Sequence, residues 1–369
     1  MARPKPDVTE LSHYLFGPRS VAAIAVTGLF VLGVVAFFYF AKPFLMPVVL
    51  ALLLSFLLKP VVNAFCRVGV KRPIGAAIVL ILFIGLISTG IYRLNEPAKE
   101  WLSKAPASVQ TIETKGRDLL NRAERFVKRV RGIEDGAQER TDEEVRKADA
   151  KRLASLEKMV NVGAILGYTA GFITGSLETL VLLFFLLASG DLLMQKLVHV
   201  LPKMHEKKEA VGITREVEHN ISTFLFTITI VNTCVALVIA VTMLLLGMPN
   251  PVLWGVVAGL LNFIPYFGPF SVVLVLVLAG FLSFESTLQA LLPATIYFCI
   301  HAVESNLVTP TVLGRRLTLS PVIIFVSLMF WTWMWGVPGA LLAVPLLMTF
   351  KIFCDHFKPL APIGEFLSG

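Results

Sequence analysis

Long apolar runs follow one another along most of the chain, separated by short polar segments. A helix needs about 20 apolar residues to cross the hydrocarbon core of a bilayer, which is roughly 30 Å thick. Six runs meet this requirement without interruption, and we predict a spanning helix in each: residues 21–41, 44–65, 74–94, 160–188, 221–246 and 288–309. The pattern therefore predicts an all-α polytopic integral membrane protein.

Two further apolar runs, at residues 252–284 and 320–350, are interrupted by proline and glycine. The first break reads Asn-Phe-Ile-Pro-Tyr-Phe-Gly-Pro from Asn262, and the second reads Trp-Gly-Val-Pro-Gly from Trp335. Because lipid cannot hydrogen-bond the backbone that such residues free, protein or a water-filled cavity must cover both breaks. We predict two re-entrant hairpins beside about six spans, with eight full spans as the alternative.

Basic residues favour the hairpins over eight full spans. Lysine and arginine gather in the cytoplasmic loops of membrane proteins. If residues 252–284 crossed the membrane once, the following span would place Arg315 and Arg316 outside the cell. A hairpin that turns near Pro265 instead brings both arginines to the cytoplasm, which satisfies the rule.

Under this topology the second half of the chain contains two units in opposite orientations, each a spanning helix followed by a broken hairpin. In inverted repeats of this kind, substrate and ion sites lie near the bilayer midplane, where discontinuous helices meet. Asn262 and Tyr266 supply the side-chain polarity at the first break. We therefore expect both side chains to form hydrogen bonds in such a site.

The segment at residues 95–159 differs from the rest because it is polar and rich in charge. Apolar residues recur at helical spacing in part of it, which predicts an amphipathic helix, a loop and a second short helix. Its charges are of mixed sign, which is typical of a solvent-exposed helix. We expect a small extracytoplasmic helical domain between membrane domains at residues 1–94 and 160–369, the second of which has a cytoplasmic loop at 191–218.

The composition agrees with a membrane protein and argues against several other classes. The 369 residues are 56% hydrophobic and 16% charged, and the mean hydropathy is +0.77. The formal net charge of +8 arises from basic residues beside the apolar runs, so we interpret it as topology and expect no nucleic-acid partner. The four cysteines are scattered, and the chain has no recognisable catalytic or metal-binding motif. We expect neither an enzyme nor a bound cofactor or metal.

Glu304 is the most informative ionisable residue in the apolar half. A charge inside a span is costly, by about 2.5 to 3.5 kcal/mol on insertion scales, and marks a functional site by default. His301 precedes Glu304 by three positions and shares its helical face, whereas Asn306 is displaced around the helix. This face can bind a proton or a cation. A Glu304 at the interface that pairs with Arg315 or Arg316 is an equally acceptable interpretation.

Several stretches make the sequence resemble the autoinducer-2 exporter family, also called the permease-like family. They are Asn262-Phe-Ile-Pro-Tyr-Phe-Gly-Pro269, Glu304-Ser-Asn-Leu-Val-Thr-Pro-Thr-Val-Leu-Gly314, Leu319-Ser-Pro321 and Trp335-Gly-Val-Pro-Gly-Ala-Leu-Leu-Ala-Val-Pro345. The resemblance covers nearly the whole chain and is weakest at residues 95–159. It implies a substrate or ion pathway formed by Asn262, Pro265, Tyr266, Gly268, Pro269, Glu304, Pro310, Gly336, Pro338, Gly339 and Pro345.

The resemblance also implies a multi-pass transporter of the bacterial inner membrane. Members of the family are associated with export of the signalling molecule autoinducer-2, and others with exchange of sodium or lithium for protons. We expect export of a small polar solute, with sodium/proton antiport as the alternative and H⁺ or Na⁺ as the coupling ion. Expected partners are membrane lipid, the solute or monovalent cation, and further copies of the chain in a homo-oligomer. A non-transporting membrane scaffold that works through residues 95–159 is the alternative from another class.

Overall fold

The computed structural model describes residues 18–131, 162–190, 192, 195, 196, 199, 204–313 and 319–368. Apart from turns and one isolated antiparallel bridge between Leu319 and Ser368, these residues are helical. The predicted all-α class is therefore confirmed. In chain order the α-helices are α1 Pro18–Phe40, α2 Lys42–Arg67, α3 Arg72–Arg131, α4 Val162–Ser189, α5 Met204–Leu245, α6 Pro251–Leu261, α7 Phe267–Ser283, α8 Thr287–Val303, α9 Thr309–Leu313, α10 Pro321–Trp335, α11 Val337–His356 and α12 Ala361–Leu367.

Five helical stretches in the described part are long and apolar enough to cross a membrane, which makes this a multi-pass membrane protein. Four of them cover spans predicted from the sequence, and the fifth is the second arm of the predicted hairpin at residues 320–350. The two remaining predicted spans fall on α1 and α4. The five stretches are Lys42–Arg67, Arg72–Trp101, Ala210–Leu245, Thr287–Val312 and Val337–His356.

The third helix, α3, has 60 residues and is about 90 Å long at 1.5 Å per residue. It runs through the boundary that the change of composition predicts between residues 94 and 95. Pro97 and Pro106 lie within it, so neither proline ends the helix. The predicted extracytoplasmic segment therefore begins as a continuation of the third span, and residues 132–159 of that segment lie outside the described residues.

The first interrupted run forms two short helices, α6 of 11 residues and α7 of 17, joined by the turn at residues 262–266. At about 16 and 26 Å, neither helix spans a bilayer core of roughly 30 Å. The helices approach closely at the turn, where a Cβ on Gly268 would lie 1.8 Å from the carbonyl oxygen of Leu261. Tyr266 has a φ of +62°, which is uncommon outside glycine. The chain breaks where the sequence predicts.

The second interrupted run is an antiparallel hairpin of α10 and α11. Ser327 donates a hydrogen bond of 3.1 Å to the carbonyl oxygen of Ala343 across the hairpin. Closer to the turn, a Cβ on Gly339 would lie 2.0 Å from the carbonyl oxygen of Trp331. Gly336 forms the turn with a φ of +69°. The chain therefore reverses its direction at the second predicted break.

Glycines allow α6 to lie directly against α5. A Cβ on Gly255 would lie 2.4 Å from the carbonyl oxygen of Ala236, and a Cβ on Gly259 would lie 2.9 Å from that of Asn232. Small residues permit this close backbone approach between helices in membranes. One apolar core then joins α5, α6, α7 and α8, and its buried members include Val235, Ile239, Ala258, Leu276, Ala294 and Tyr297.

The two broken segments pack on each other through apolar side chains. Ile264, in the first turn, shares a buried cluster with Leu328, Ala340 and Ala343 of the second hairpin. The ring centroid of Tyr266 lies 6.3 Å from that of Phe325 in an edge-to-face arrangement. The first turn thus contacts the side of the second hairpin, about one to three helical turns away from its tip at Gly336.

Candidate functional site

A π-helical turn at Glu304–Val308 interrupts the helix that α8 begins. Here the backbone N–H of Thr309 bonds to the carbonyl oxygen of Glu304. Pro310 follows, and proline has no N–H to donate within a regular helical turn. Such π-turns insert an extra residue and are frequent at functional sites. The turn leaves the Glu304 side chain only 8% exposed, whereas residues 305–308 are exposed.

The Glu304 carboxylate is surrounded by polar side chains. Thr309 donates its hydroxyl hydrogen to Oε1. The Nδ1 atom of His301 lies 3.2 Å from Oε2, which is ion-pair distance, although the two groups are not aligned as a hydrogen bond. The side chain of Asn262, in the first break, lies close enough to interact with the carboxylate. The predicted pair of His301 and Glu304 is thus brought together with the predicted Asn262.

Asn262 also connects the break to α5. Its Nδ2 atom donates a hydrogen bond of 2.8 Å to Oδ1 of Asn232. Asn232 is 1% exposed, and its own Nδ2 atom has no hydrogen-bond partner among the described residues. A buried polar atom without a partner costs about 1 to 3 kcal/mol, so each one calls for an explanation. Asn232 is not among the predicted site residues, although a lone asparagine inside an apolar span indicates a functional position.

Tyr297 brings a further polar group to the same place. Its ring is nearly parallel to that of His301, with centroids 6.0 Å apart and an interplanar angle of 9°. The Tyr297 hydroxyl is buried and bonds to nothing within the described part of the chain. The charge of Glu304 is close enough to act on this hydroxyl. We use the name polar cluster for Asn232, Asn262, Tyr297, His301, Glu304 and Thr309.

The polar cluster combines groups that bind a proton or a small cation. Glu304 contributes negative charge, Thr309 and the asparagines contribute oxygen atoms, and His301 is a second titratable group. Among the described residues, no group of three His, Cys, Asp or Glu side chains is placed to hold a metal ion. The competing prediction is an ion pair between Glu304 and Arg315 or Arg316. Both arginines lie outside the described residues.

The other predicted residues near the first break and in the span have different partners. Tyr266 is 51% exposed and packs against Phe325. Asn306 is exposed, and its amide donates a hydrogen bond of 2.8 Å to the carbonyl oxygen of Ala302. Pro310 is exposed as well. The turn between the two short helices is shaped by Pro265, Gly268 and Pro269.

The predicted residues of the second hairpin build its turn and its buried arm. Gly336 supplies the positive φ of the turn, and Gly339 permits the close approach to α10. Pro338 lies in the first turn of α11, where the missing N–H has no intrahelical acceptor to lose. Pro345 is buried within α11. These residues shape the hairpin on which the first turn packs.

Comparison with known proteins finds relatives over almost the whole chain. The family model described as AI-2E family transporter matches residues 29–358. The AI-2 transport protein TqsA of Escherichia coli (strain K12) is 26% identical over 318 residues, which cover 86% of this chain and 87% of TqsA. YhhT of the same strain is 24% identical over 363 residues, covering 97% of this chain and 94% of YhhT. YrrI of Bacillus subtilis (strain 168) is 24% identical over 334 residues, covering 87% and 88%. YhhT and YrrI are both described as candidate transport proteins.

Proposed function

Because the chain belongs to the AI-2E transporter family, we propose that it is a secondary transporter that exports a small polar solute across a bacterial inner membrane. The family model matches most of the chain, and one relative is named for transport of AI-2. The observation that carries the proposal is the burial of Glu304 and Asn232 where a broken helix meets α5 and α8. Polar groups at membrane depth are costly and mark solute or ion pathways.

In this proposal the polar cluster holds the solute through hydrogen bonds. The Nδ2 atom of Asn232 and the hydroxyl of Tyr297 have no partner among the described residues. A solute hydroxyl or carbonyl group that bonds to them satisfies polar atoms that are otherwise unpaired in a low-dielectric environment. An apolar molecule of the same size leaves both groups unsatisfied, so selectivity for a polar solute follows.

In this proposal Glu304 is the residue that couples movement of the solute to movement of an ion. A buried carboxylate is costly as an isolated anion, so a proton, a cation or a charged neighbour must compensate its charge. His301 and Thr309 contact the carboxylate in the present conformation. Binding of H⁺ or Na⁺ at Glu304 changes the charge beside the solute site, which links movement of the ion to movement of the solute.

Sodium/proton antiport is the second candidate, and the contact between His301 and Glu304 is the observation that favours it. The two titratable groups lie 3.2 Å apart beside the oxygen atoms of Thr309 and the asparagines. In an antiporter Na⁺ and H⁺ compete for the same carboxylate, and no organic solute is required. The carboxylate is then indispensable, whereas a facilitator of solute efflux can operate without it.

Everted membrane vesicles separate these functions, because their outer surface is the cytoplasmic face. We would compare the wild type with Glu304→Gln and with the matched control Glu285→Gln, whose carboxylate is exposed between α7 and α8. The export proposal expects uptake of AI-2 into vesicles that contain the wild type or the control. Glu304→Gln should reduce this uptake roughly tenfold or more, the rate equivalent of about 1.4 kcal/mol. The antiport proposal expects Na⁺-dependent collapse of a pH gradient with the same dependence on Glu304.

The outcomes assign or reject the role of Glu304. If Glu304→Gln leaves both AI-2 uptake and the sodium-dependent pH change intact, the residue is not the coupling group. A wild type without either activity points to the scaffold alternative. In that case deletion of residues 100–155 abolishes the cellular phenotype, while substitutions in the two hairpins have little effect.

A further inference from the structure

A second polar region lies where the C-terminal ends of α2 and α4 meet the first half of α5, apart from the polar cluster. It is a cavity of about 1210 Å³ between these helices. Ser222 and Thr223 of α5 reach its deep end, whereas Asn232 lies nine residues further along α5, about 14 Å away. None of the six residues of the polar cluster lines the cavity. The cavity is therefore separate from the proposed transport site.

The lining of this cavity carries an excess of positive charge. Lys59, Arg67 and Arg215 line it, and Glu218 is the one carboxylate among the described lining residues. Lys59 and Glu218 form an ion pair with each other, at 17% and 30% side-chain exposure. Among the described lining residues the cations exceed the carboxylates by two, and the two arginines carry this excess. An anion is the ligand that such an excess attracts.

Arg67 and Arg215 are available to a ligand. Neither forms an ion pair with any described residue, and both are exposed at the cavity. Arg67 is the last residue of α2, and Arg215 lies in the first half of α5. Each guanidinium presents several N–H groups in a planar fork that matches the oxygen atoms of a phosphate group. Amide groups of Asn63 and Gln195 in the same lining add neutral donors.

A simpler explanation for the presence of these arginines is that basic residues accumulate at the cytoplasmic ends of spans. That rule accounts for their side of the membrane but not for their position around a concave surface. Charges of one sign that line a cleft with low-dielectric walls focus the field and raise the local concentration of a counter-ion. Exposed basic residues outside the cavity, such as Lys208, do not have this effect.

Contacts between helices fix the walls of the cavity. Ser222 donates a hydrogen bond of 2.7 Å to the carbonyl oxygen of Phe56, which joins α5 to α2. Arg72 donates a hydrogen bond of 3.2 Å from Nε to the carbonyl oxygen of Leu187, at the end of α4. The same guanidinium packs on Gly190, where a Cβ would lie 2.5 Å away. The Nε atom of Arg72 thus helps to hold the wall, and the cavity is formed in advance of binding, as ligand sites usually are.

We propose that this cavity binds a phosphate-type oxyanion, with Arg67 and Arg215 as the cationic residues that bind it. The volume exceeds what a phosphate ion needs, so the phosphoryl group belongs to a larger molecule. A phosphorylated solute and the headgroup of an anionic lipid both offer this chemistry. The positive-inside rule places the cavity on the cytoplasmic side, where both are present.

Binding of inorganic phosphate to the purified full-length chain tests the proposal. The protein is placed in nanodiscs of phosphatidylcholine and titrated calorimetrically with phosphate. We expect saturable binding that is roughly tenfold weaker in each of Arg67→Gln and Arg215→Gln, since a charge-assisted hydrogen bond is lost in each. The matched control Lys208→Gln, an exposed lysine on α5 outside the cavity lining, should bind phosphate like the wild type.

A second measurement distinguishes the two sources of the phosphate group. Nanodiscs that also contain phosphatidylglycerol are analysed by native mass spectrometry for lipid that the protein retains. Retention of phosphatidylglycerol by the wild type, and its loss in both arginine variants, supports the site with a lipid headgroup as its ligand. Phosphate binding without retention of phosphatidylglycerol supports the site with a soluble phosphorylated molecule as its ligand. The proposal is overturned if neither phosphate binding nor lipid retention is observed. It is also overturned if the arginine variants keep the unfolding temperature of the wild type and bind phosphate as tightly as the wild type does.

Discussion

The Nδ2 atom of Asn262 donates a 2.8 Å hydrogen bond to Oδ1 of Asn232 across 30 positions of the chain. The side chain of Asn262 also lies within interaction range of the Glu304 carboxylate. One amide therefore joins α5, the first break and the π-helical turn. In the proposed site, its Oδ1 atom accepts a hydrogen bond from a solute hydroxyl group.

We expect Asn232→Leu to lower transport while it changes stability little. The substitution leaves the Asn262 amide without its acceptor, which costs about 1 to 3 kcal/mol, and it also removes the buried, unpaired Nδ2 atom of Asn232, which relieves a cost of similar size. Transport in everted vesicles and thermal unfolding in detergent, followed by tryptophan fluorescence, measure the two effects. Asn306→Leu is the matched control, because Asn306 is exposed and bonds only to neighbours in its own helix. Full transport by Asn232→Leu would contradict the role of this pair.

We expect Gly268→Ala to disrupt the first break. The new Cβ would lie 1.8 Å from a backbone carbonyl oxygen, so α6 and α7 must move apart, and overpacking of this kind costs about 1 to 3 kcal/mol. Gly85→Ala is the control, since nothing lies within 4 Å of a Cβ at that position of α3. The yield and unfolding temperature of the two variants are compared. Equal behaviour of the two variants would show that the close approach has no structural role.

We expect Pro310→Ala to raise stability while it lowers transport. Proline inside a helix costs about 3 kcal/mol, and alanine permits the π-helical turn to relax into an α-helix. Loss of the extra residue rotates Glu304 by about 100° relative to Thr309, which separates the two side chains. Val312→Ala, at a position that is 56% exposed on the same short helix, serves as the control. Full transport by a stabilised Pro310→Ala variant would exclude a functional role for the π-turn.

The hairpin topology predicts that Arg315→Cys is labelled only from the cytoplasm. The experiment starts from a chain whose four cysteines are replaced, because Cys234 and Cys299 are exposed. An impermeant maleimide should leave Arg315→Cys unmodified in intact spheroplasts and modify it after they are opened. Pro249→Cys, in the exposed turn between α5 and α6, should react in both preparations. Modification of Arg315→Cys in intact spheroplasts would favour eight full spans.

Local patterns were sufficient to predict much of the fold. Apolar runs marked the spans, and glycine with proline marked both breaks. The three-residue spacing of His301 and Glu304 predicted their common face, because helical periodicity is a property of neighbouring residues. The family resemblance was confirmed by the match over residues 29–358. The continuity of α3 was not predicted, since Pro97 and Pro106 and the abrupt change of composition both suggest an end.

The composition of the polar cluster depends on contacts between distant segments, and local patterns do not reveal these. Asn232 reaches the first break only because Gly255 and Gly259 bring α5 and α6 into direct contact. The positive φ of Tyr266 accompanies an outward ring position against Phe325, away from the role that its polarity suggests. Neither the register between two helices nor the orientation of a turn residue can be read from hydropathy.

Trp101 and Trp254 provide a measure of depth in the bilayer. Their rings lie 4.8 Å apart, edge to face, and tryptophan concentrates at the boundary between lipid and water. α6 begins at Pro251, beside this boundary, and runs for 11 residues, or about 16 Å, before it breaks. If α6 runs along the bilayer normal, the amide of Asn262 lies near the middle of a hydrocarbon core of roughly 30 Å. Under the proposed function, a molecule held there has completed half of its passage and is equally far from both aqueous phases.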